Sequence, residues 1–230
     1  MSISSHSLVI PARFWLLGSR GYVHGTTVFE LVLQAIAEAA KAWGLAERAP
    51  RVGQFKIARE IKHHGRIVVY LGNEGPDQST DPVVSLQGNL GGQPVTAGLW
   101  EDETQEVAER RLDSMAALVG NLELAGDFSG RVTLTGVANP AQLVTGIIAA
   151  NKAMHLATLG EVGGGVAVRW LYLQNLPAMA APSTAQQVRL GVSLAHRMPR
   201  GPELFTVCEF SGNFAGVEFA TKICFGCKPV

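Results

Sequence analysis

The polar side chains that could do chemistry gather around one short turn and the residues after it. The turn is His24, Gly25 and Thr26, and Glu30 and Gln34 follow it at helical spacing. Imidazole and carboxylate groups are the usual carriers of protons in general acid–base catalysis. Backbone N–H groups in the first turn of a helix have no intrahelical acceptor, so they can bind a developing oxyanion. The stretch is therefore either the cap of a helix or a site for proton transfer.

The element that must position these groups is a helix predicted over residues 23–43. Apolar side chains and alanines cover most of its circumference, which is typical of a buried helix. Glu30 and Gln34 begin a narrow polar stripe along it. The pattern leaves three roles open for Glu30: an acid facing a water-excluded tunnel, the partner of Thr27 in a capping box, or part of an exposed face.

Composition limits the classes of function. Of 230 residues, 47% are apolar and 17% charged, so a large ordered core is possible. Nineteen basic residues balance nineteen acidic ones, and we expect neither a nucleic acid nor a membrane as partner. No apolar run is long enough for a membrane span and no secretory signal is evident, so a cytoplasmic location is expected. Three cysteines, with a single CxxC at 224–227, do not suggest a metal or redox centre.

The order of elements recurs in the second half of the chain. A shift of 115 residues lays a predicted helix over 141–159 on the first helix, with Thr145 in the place of Glu30. A shift of 124 residues lays the turn at 212–216 on the turn at 88–92. Repetition of a whole set of elements is hard to obtain by chance. The alternative is a single two-layer α+β domain with accidental similarity.

We therefore predict an N-terminal domain over residues 1–103, an amphipathic connecting helix over 104–120 and a C-terminal domain over 121–230. Within the first domain, a strand over 7–17 is expected to break at Pro11. His63 and His64 are expected to lie in a solvated turn between two strands.

The first half resembles the β-hydroxyacyl-acyl-carrier-protein dehydratases, most closely the β-hydroxydecanoyl type. In that family a Pro-Gly turn opens the central helix, an acid follows the glycine by five positions, and a glutamine comes one turn later. Gly25, Glu30 and Gln34 stand at those spacings, and His24 replaces the proline. The resemblance covers residues 7–100 and reaches the second half only through the repeat.

The resemblance implies an α+β fold of the hotdog type, in which an antiparallel sheet wraps round one long helix. Exposed sheet edges favour pairing. Two copies on one chain imply a double hotdog: two antiparallel sheets, each wrapped round a long central helix, joined as an intramolecular pseudo-dimer.

The function implied is dehydration of a 3-hydroxyacyl thioester to a 2-enoyl thioester, in fatty-acid or polyketide-type synthesis. Glu30 would be the helix acid, and His24 is a candidate catalytic histidine. Gly25 and Thr26 would offer N–H groups to the carbonyl, and Gln34 would bind beside Glu30. The protein would need no cofactor of its own, since the substrate is carried on phosphopantetheine.

The partner implied is an acyl carrier protein or coenzyme A thioester. Arg20 could contact the phosphopantetheine phosphate, or could be an ordinary surface arginine. The family's catalytic histidine is missing, because Ser19 and Arg20 occupy its place. Two alternatives therefore stay open. One is a thioesterase whose helix carboxylate activates water, and the other is a catalytically degenerate partner of another, active hotdog protein.

Overall fold

The computed structural model describes residues 6–45, 48–73, 81–159 and 166–229. The chain divides into two compact units, Met1–Asp113 and Ser114–Val230. In the described residues, each unit combines one long helix with antiparallel strands.

The first unit is built in the order strand, helix, strands. Its elements are β1 His6–Ala12, β2 Leu16–Leu17, α1 Gly25–Ala42, β3 Pro50–Ile57, β4 His63–Leu71, β5 Val84–Leu90, β6 Gln93–Glu106 and β7 Arg110–Arg111. Five strands pair antiparallel in the order β1-β4-β6-β5-β3, and β2 pairs parallel with β7. Helix α1 packs on this sheet, where Phe29 meets Phe55 edge-on with ring centroids 5.0 Å apart.

The second unit repeats this order after a single 3₁₀ turn. Its elements are the 3₁₀ turn Met115–Leu118, β8 Val119–Gly126, β9 Ser129–Val137, α2 Pro140–Leu159, β10 Val166–Leu176, β11 Gln186–Arg200, β12 Glu203–Phe214 and β13 Val217–Pro229. The strand order is β10-β13-β12-β11-β9-β8. Gly146 lets α2 approach β9, since a Cβ there would lie 2.8 Å from the Leu134 side chain.

The helices predicted over residues 23–43 and 141–159 are confirmed, and local residues explain their ends. α1 stops where Gly44 takes φ +72°, and Leu45 N donates to Ala40 O at 2.7 Å, a glycine-based C-cap. α2 starts at Pro140, with the Asn139 side chain accepting from Gln142 N at 2.9 Å.

The predicted repeat of the hairpin turns holds at the level of single hydrogen bonds. Asn89 Oδ1 accepts from Gly92 N at 2.8 Å, and Asn213 Oδ1 accepts from Gly216 N at 3.2 Å. In each turn the two central residues have positive φ, as a two-residue hairpin of this type requires. Ala215 accepts this strained conformation at φ 51°.

The two arms of the hairpin nevertheless exchange positions between the two units. In the second unit β11, β12 and β13 are neighbours in chain order. In the first unit β6 lies between β4 and β5, so the second arm of the hairpin pairs with β4. The repeat is therefore one of element order and turn chemistry, while the strand order differs.

The helix predicted over residues 104–120 is wrong. Strand β6 continues to Glu106, β7 follows, and only the 3₁₀ turn Met115–Leu118 is helical. The apolar face expected of the helix does not exist, because Val107 is buried whereas Leu112 is 92% exposed.

Tertiary contacts explain why this segment is extended. Leu16 N donates to Glu109 O at 2.8 Å and Gly18 N donates to Arg111 O at 3.0 Å. The Arg111 guanidinium also lies 3.7 Å from the centroid of the Trp15 ring. Together these contacts outweigh helix propensity, which is a weak preference.

Two smaller predictions about strands are also corrected. β1 runs through Pro11 without a break and pairs Pro11 with Arg66 of β4. Within the described part of the first unit β1 pairs with β4 alone, and proline is tolerated on such an edge because its nitrogen can face away from the partner strand. His63 and His64 begin β4 instead of forming a solvated turn.

Candidate functional site

The predicted turn at the start of α1 is formed, and His24 is its N-cap. The backbone of His24 is extended, with φ −71° and ψ 139°, and Gly25 is the first helical residue. The Nδ1 atom of His24 accepts from Thr26 N at 3.4 Å and lies 2.9 Å from Thr26 Oγ1. Both Thr26 donors therefore point at Nδ1, which places the ring proton on Nε2.

The segment before this turn is held by backbone contacts inside the first unit. Val23 N donates to Ile61 O at 2.8 Å, and Val23 forms an isolated bridge with Leu16. The Arg20 guanidinium donates to Asp113 Oδ2 at 2.7 Å and to Leu17 O at 3.3 Å. Arg20 thus has an anionic partner of its own, and a role in binding phosphate stays a prediction.

The expected position of Glu30 in a water-excluded tunnel is wrong. Glu30 and Gln34 are both exposed, and Gln34 Nε2 donates to Glu30 Oε1 at 3.4 Å. The capping box with Thr27 is also absent, because the helix begins at Gly25 and Glu30 lies beyond its first turn. The exposed-face interpretation fits, since the buried residues Val28, Val32 and Ala39 lie on the opposite side of the helix.

A titratable cluster that sequence reasoning missed lies at the start of β4. The Glu101 side chain is only 1% exposed, and its Oε1 accepts from Lys62 N at 2.6 Å and from His63 N at 2.9 Å. Its Oε2 forms an ion pair with Arg59, and the His63 Nδ1 atom lies 3.4 Å from Oε1. A carboxylate directly after an apolar run in a strand was the available signal.

The neighbouring His64 is tied to the segment that leads to β2. Its Nδ1 atom accepts from Phe14 N at 3.0 Å, and the two rings stack with centroids 6.3 Å apart. Burial, followed by the positive charge of Arg13, lowers the pKa of His64, while Glu109 opposes the shift. His64 is therefore a neutral structural contact at physiological pH.

A second polar cluster is enclosed in the second unit, on α2 and β12. His155 Nδ1 donates to Asn151 O at 2.7 Å and Nε2 accepts from Thr206 Oγ1 at 2.5 Å. The rings of Phe128 and Phe225 lie 4.7 and 5.2 Å from the imidazole. Because all the ring nitrogens are satisfied and no side chain of the trio is exposed, this cluster is part of the core.

Thr145 occupies the position that corresponds to the acid of the first helix, as the repeat predicts. Its hydroxyl donates to Ala141 O at 2.9 Å, the preceding turn of α2. A threonine bonded to its own helix supplies no acid, so we find no second copy of a helix carboxylate at this position.

The three cysteine thiols are buried. Burial raises the pKa of Cys208 to about 12 and the pKa values of Cys224 and Cys227 to about 11. In the described ranges, no three His, Cys, Asp or Glu side chains converge to hold a metal ion. Neither helix in this part of the chain is long and apolar enough to cross a membrane.

Comparisons with known proteins give no match by sequence and clear matches by structure. No protein-family model and no curated protein matches the chain. A tesB protein of Mycobacterium avium subspecies paratuberculosis matches with a TM-score of 0.53 at 13% identity, over 97% of this chain and 92% of that one.

Two further structures match with lower scores. The dehydratase domain of RzxB from Pseudomonas fluorescens gives a TM-score of 0.48 at 12% identity, over 96% of this chain and 94% of that one. An acyl-ACP thioesterase from Bacteroides thetaiotaomicron gives 0.44 at 10% identity, over 96% and 97%. At these identities the likeness establishes the architecture alone: the chain has the hotdog-like fold, a large antiparallel sheet with few helices.

Proposed function

We propose that this protein binds acyl thioesters of an acyl carrier protein or coenzyme A and acts on them as a dehydratase-like enzyme, converting 3-hydroxyacyl to 2-enoyl groups. The observation that carries this is the start of α1, where a helix begins on glycine and is capped by His24. Thr26 N already donates to His24 Nδ1, so the other first-turn N–H groups and the positive end of the helix dipole would favour an enolate oxygen. A glycine at that place lets a thioester carbonyl approach the backbone.

The fold supports the same proposal. A hotdog-like fold surrounds each long helix with a sheet, so that an acyl chain could lie against apolar side chains while its carbonyl meets the helix start. The polar head of the substrate, a phosphopantetheine arm, would stay outside. The joining of the two units into one pseudo-dimer remains a prediction.

The position of Glu30 limits what the site can do by itself. Dehydration needs a base for the α-proton, an acid for the departing hydroxyl and stabilisation of the enolate. An exposed Glu30, hydrogen bonded to Gln34, is not placed to protonate a buried hydroxyl. The thioesterase alternative also depends on a helix carboxylate, so the same exposure counts against it equally.

A second candidate is a non-catalytic partner of an active hotdog dehydratase. The exposed Glu30 and the use of the His24 Nδ1 atom as a helix cap both favour it. Such a protein would bind acyl thioesters, or another hotdog protein, without turning substrate over.

The test uses the purified full chain with 3-hydroxyacyl and 2-enoyl thioesters of carrier protein and coenzyme A, at several chain lengths. Hydration is followed by loss of the enoyl absorbance, hydrolysis by release of free thiol, and affinity by calorimetry. We expect Gly25→Val to abolish binding, because a branched side chain would block the N–H groups. Glu38→Gln, on the exposed stripe, is the matched control.

The outcomes separate the candidates. Hydration that is lost in Gly25→Val supports the dehydratase-like enzyme. Free thiol release that disappears in Glu30→Gln supports the thioesterase. Binding without turnover supports the non-catalytic partner, and absence of both binding and turnover at every chain length contradicts the proposal.

A further inference from the structure

His63 and Glu101 form a carboxylate–imidazole pair in the first unit. The His63 Nδ1 atom is buried and lies 3.4 Å from Glu101 Oε1, while 27% of the His63 side chain is exposed. Two backbone N–H groups and Arg59 hold the carboxylate in place. Glu101 is therefore a fixed, buried acceptor. His63 faces it and is itself partly open to solvent.

The chain directly before His63 is hydrogen bonded to the chain directly before α1. The Ile61 carbonyl, two residues before His63, accepts from Val23 N at 2.8 Å, and Val23 directly precedes the N-cap His24. Lys62 O also accepts from Val107 N at 3.0 Å, so the two residues before His63 are both anchored. The segments that lead into β4 and into α1 are thus joined by one backbone hydrogen bond.

We propose that His63 is the general base of the site at the start of α1, with Glu101 as its positioning residue. This inference rests on the function proposed above, because it supplies the base that the absent family histidine would have provided. In the described residues His63 Nδ1 has no hydrogen-bond partner, and it faces Glu101 Oε1 at 3.4 Å. A proton on Nδ1 would be stabilised by this carboxylate and would leave the Nε2 lone pair available. A base oriented by a buried carboxylate is a recurrent catalytic arrangement, and such contacts often tighten only with substrate bound.

The proton balance of the step needs one imidazole. His63 Nε2 takes the proton from the α-carbon, and the electron pair of that C–H bond moves to the thioester carbonyl as an enolate, held by the helix N–H groups. The enolate then forms the α–β double bond as the β-carbon–oxygen bond breaks. The imidazolium returns its proton to the departing hydroxide, so water leaves and His63 is neutral again.

The other two histidines in this region do not fit the role as well. His24 Nδ1 accepts from Thr26, and His64 Nδ1 accepts from Phe14 N, so both rings are fixed by backbone contacts through the acceptor nitrogen. Glu101 is enclosed and ion paired with Arg59, which makes it an orienting group and not the base.

The experiment measures two things in the full chain: exchange of the α-proton of a bound acyl thioester in D₂O, and hydration of a 2-enoyl thioester. His63→Asn should lower kcat about 100-fold with little change in KM, the usual loss for a missing general base. His63→Gly should recover part of its activity with added imidazole, because the site is partly open to solvent. Glu101→Gln should lower kcat about 10-fold and leave KM unchanged, since a positioning residue acts through the base.

His196→Asn is the control, since His196 is exposed on β11 in the second unit, and it should behave as the wild type. Wild-type rates in His63→Asn would overturn the proposal, and so would failure of imidazole to restore any activity to a folded His63→Gly. If the wild type binds acyl thioesters but exchanges no α-proton, the base assignment fails while thioester binding stands. If it binds none, the proposed function itself fails and the base assignment with it.

Discussion

His155 and Thr206 form a 2.5 Å hydrogen bond inside the second unit, where neither side chain is accessible to solvent. The hydroxyl donates to Nε2, because Nδ1 already donates to the carbonyl of Asn151. Each ring nitrogen thus has one partner, and the imidazole is held neutral between α2 and β12.

Replacing Thr206 with valine should destabilise the second unit by about 1–3 kcal/mol. Valine keeps the shape of threonine but leaves the buried Nε2 of His155 without a donor, and an unsatisfied buried group costs about that much. Urea unfolding gives the measurement. Thr104→Val is the control, since the Thr104 hydroxyl bonds to Asp102 on the exposed end of β6. An equal effect of both changes would contradict the explanation.

Acid should destabilise the fold through His155. Burial lowers its pKa below the ordinary 6.5, and the hydrogen bond to Asn151 opposes this only in part. Above pH about 6.5 His155 is neutral in both states, and its burial costs no stability. Below that pH the unfolded chain binds a proton that the folded chain does not, so the free energy of unfolding decreases as the pH falls toward the folded-state pKa.

Unfolding curves at pH 7.5, 6.5 and 5.5 would show this loss. A His155→Gln variant should have a shallower dependence on pH, whereas His196→Asn should keep the wild-type slope. A free energy of unfolding that rises as the pH falls would be inconsistent with burial of a neutral imidazole. So would a pH dependence that is unchanged in His155→Gln. Some dependence will remain in His155→Gln, because the pKa of His64 is lowered too.

Asn151→Leu should stabilise the protein. Asn151 is fully buried, and neither atom of its side-chain amide has a hydrogen-bond partner in the described structure. Leucine has the same number of side-chain heavy atoms in the same branched arrangement and no polar group to desolvate, so the free energy of unfolding should rise by about 1 kcal/mol. Asn151→Asp, which puts a charge at the same place, should lower it. A loss of stability in Asn151→Leu would mean that an ordered water satisfies the amide.

The cysteines should be inert in the folded protein. The pKa of Cys208 is raised to about 12 and those of Cys224 and Cys227 to about 11 by burial, so almost no thiolate exists at pH 8. A thiol reagent should label none of the three before unfolding and all three in denaturant. Rapid labelling of Cys224 and Cys227 in native protein would instead indicate a reactive CxxC.

The sequence predicted the long helices and the hairpin turns because their signals are local. Gly44 ends α1, Asn139 and Pro140 begin α2, and the Asn89 and Asn213 turns repeat one hydrogen bond. Each depends on residues within a few positions of one another, where side-chain chemistry decides the backbone conformation.

The features that could not be predicted from the sequence depend on residues that are far apart in the chain. The segment with Glu109 is extended because it pairs with β2, more than ninety residues away in the chain, and the order of β5 and β6 carries no local mark. Glu30 shows the same limit in the site. A polar stripe on a helix gives the side chains that share a face, but only the packed structure tells which face meets water. The pairing of His63 with Glu101 likewise appears only after folding.

The proline in β1 bears on how the molecule avoids self-association. A foreign strand that paired with this edge would need a regular row of amide donors, and Pro11 removes one near the end of β1. Pro11 therefore disfavours polymerisation through this sheet edge, and it does so without a charge.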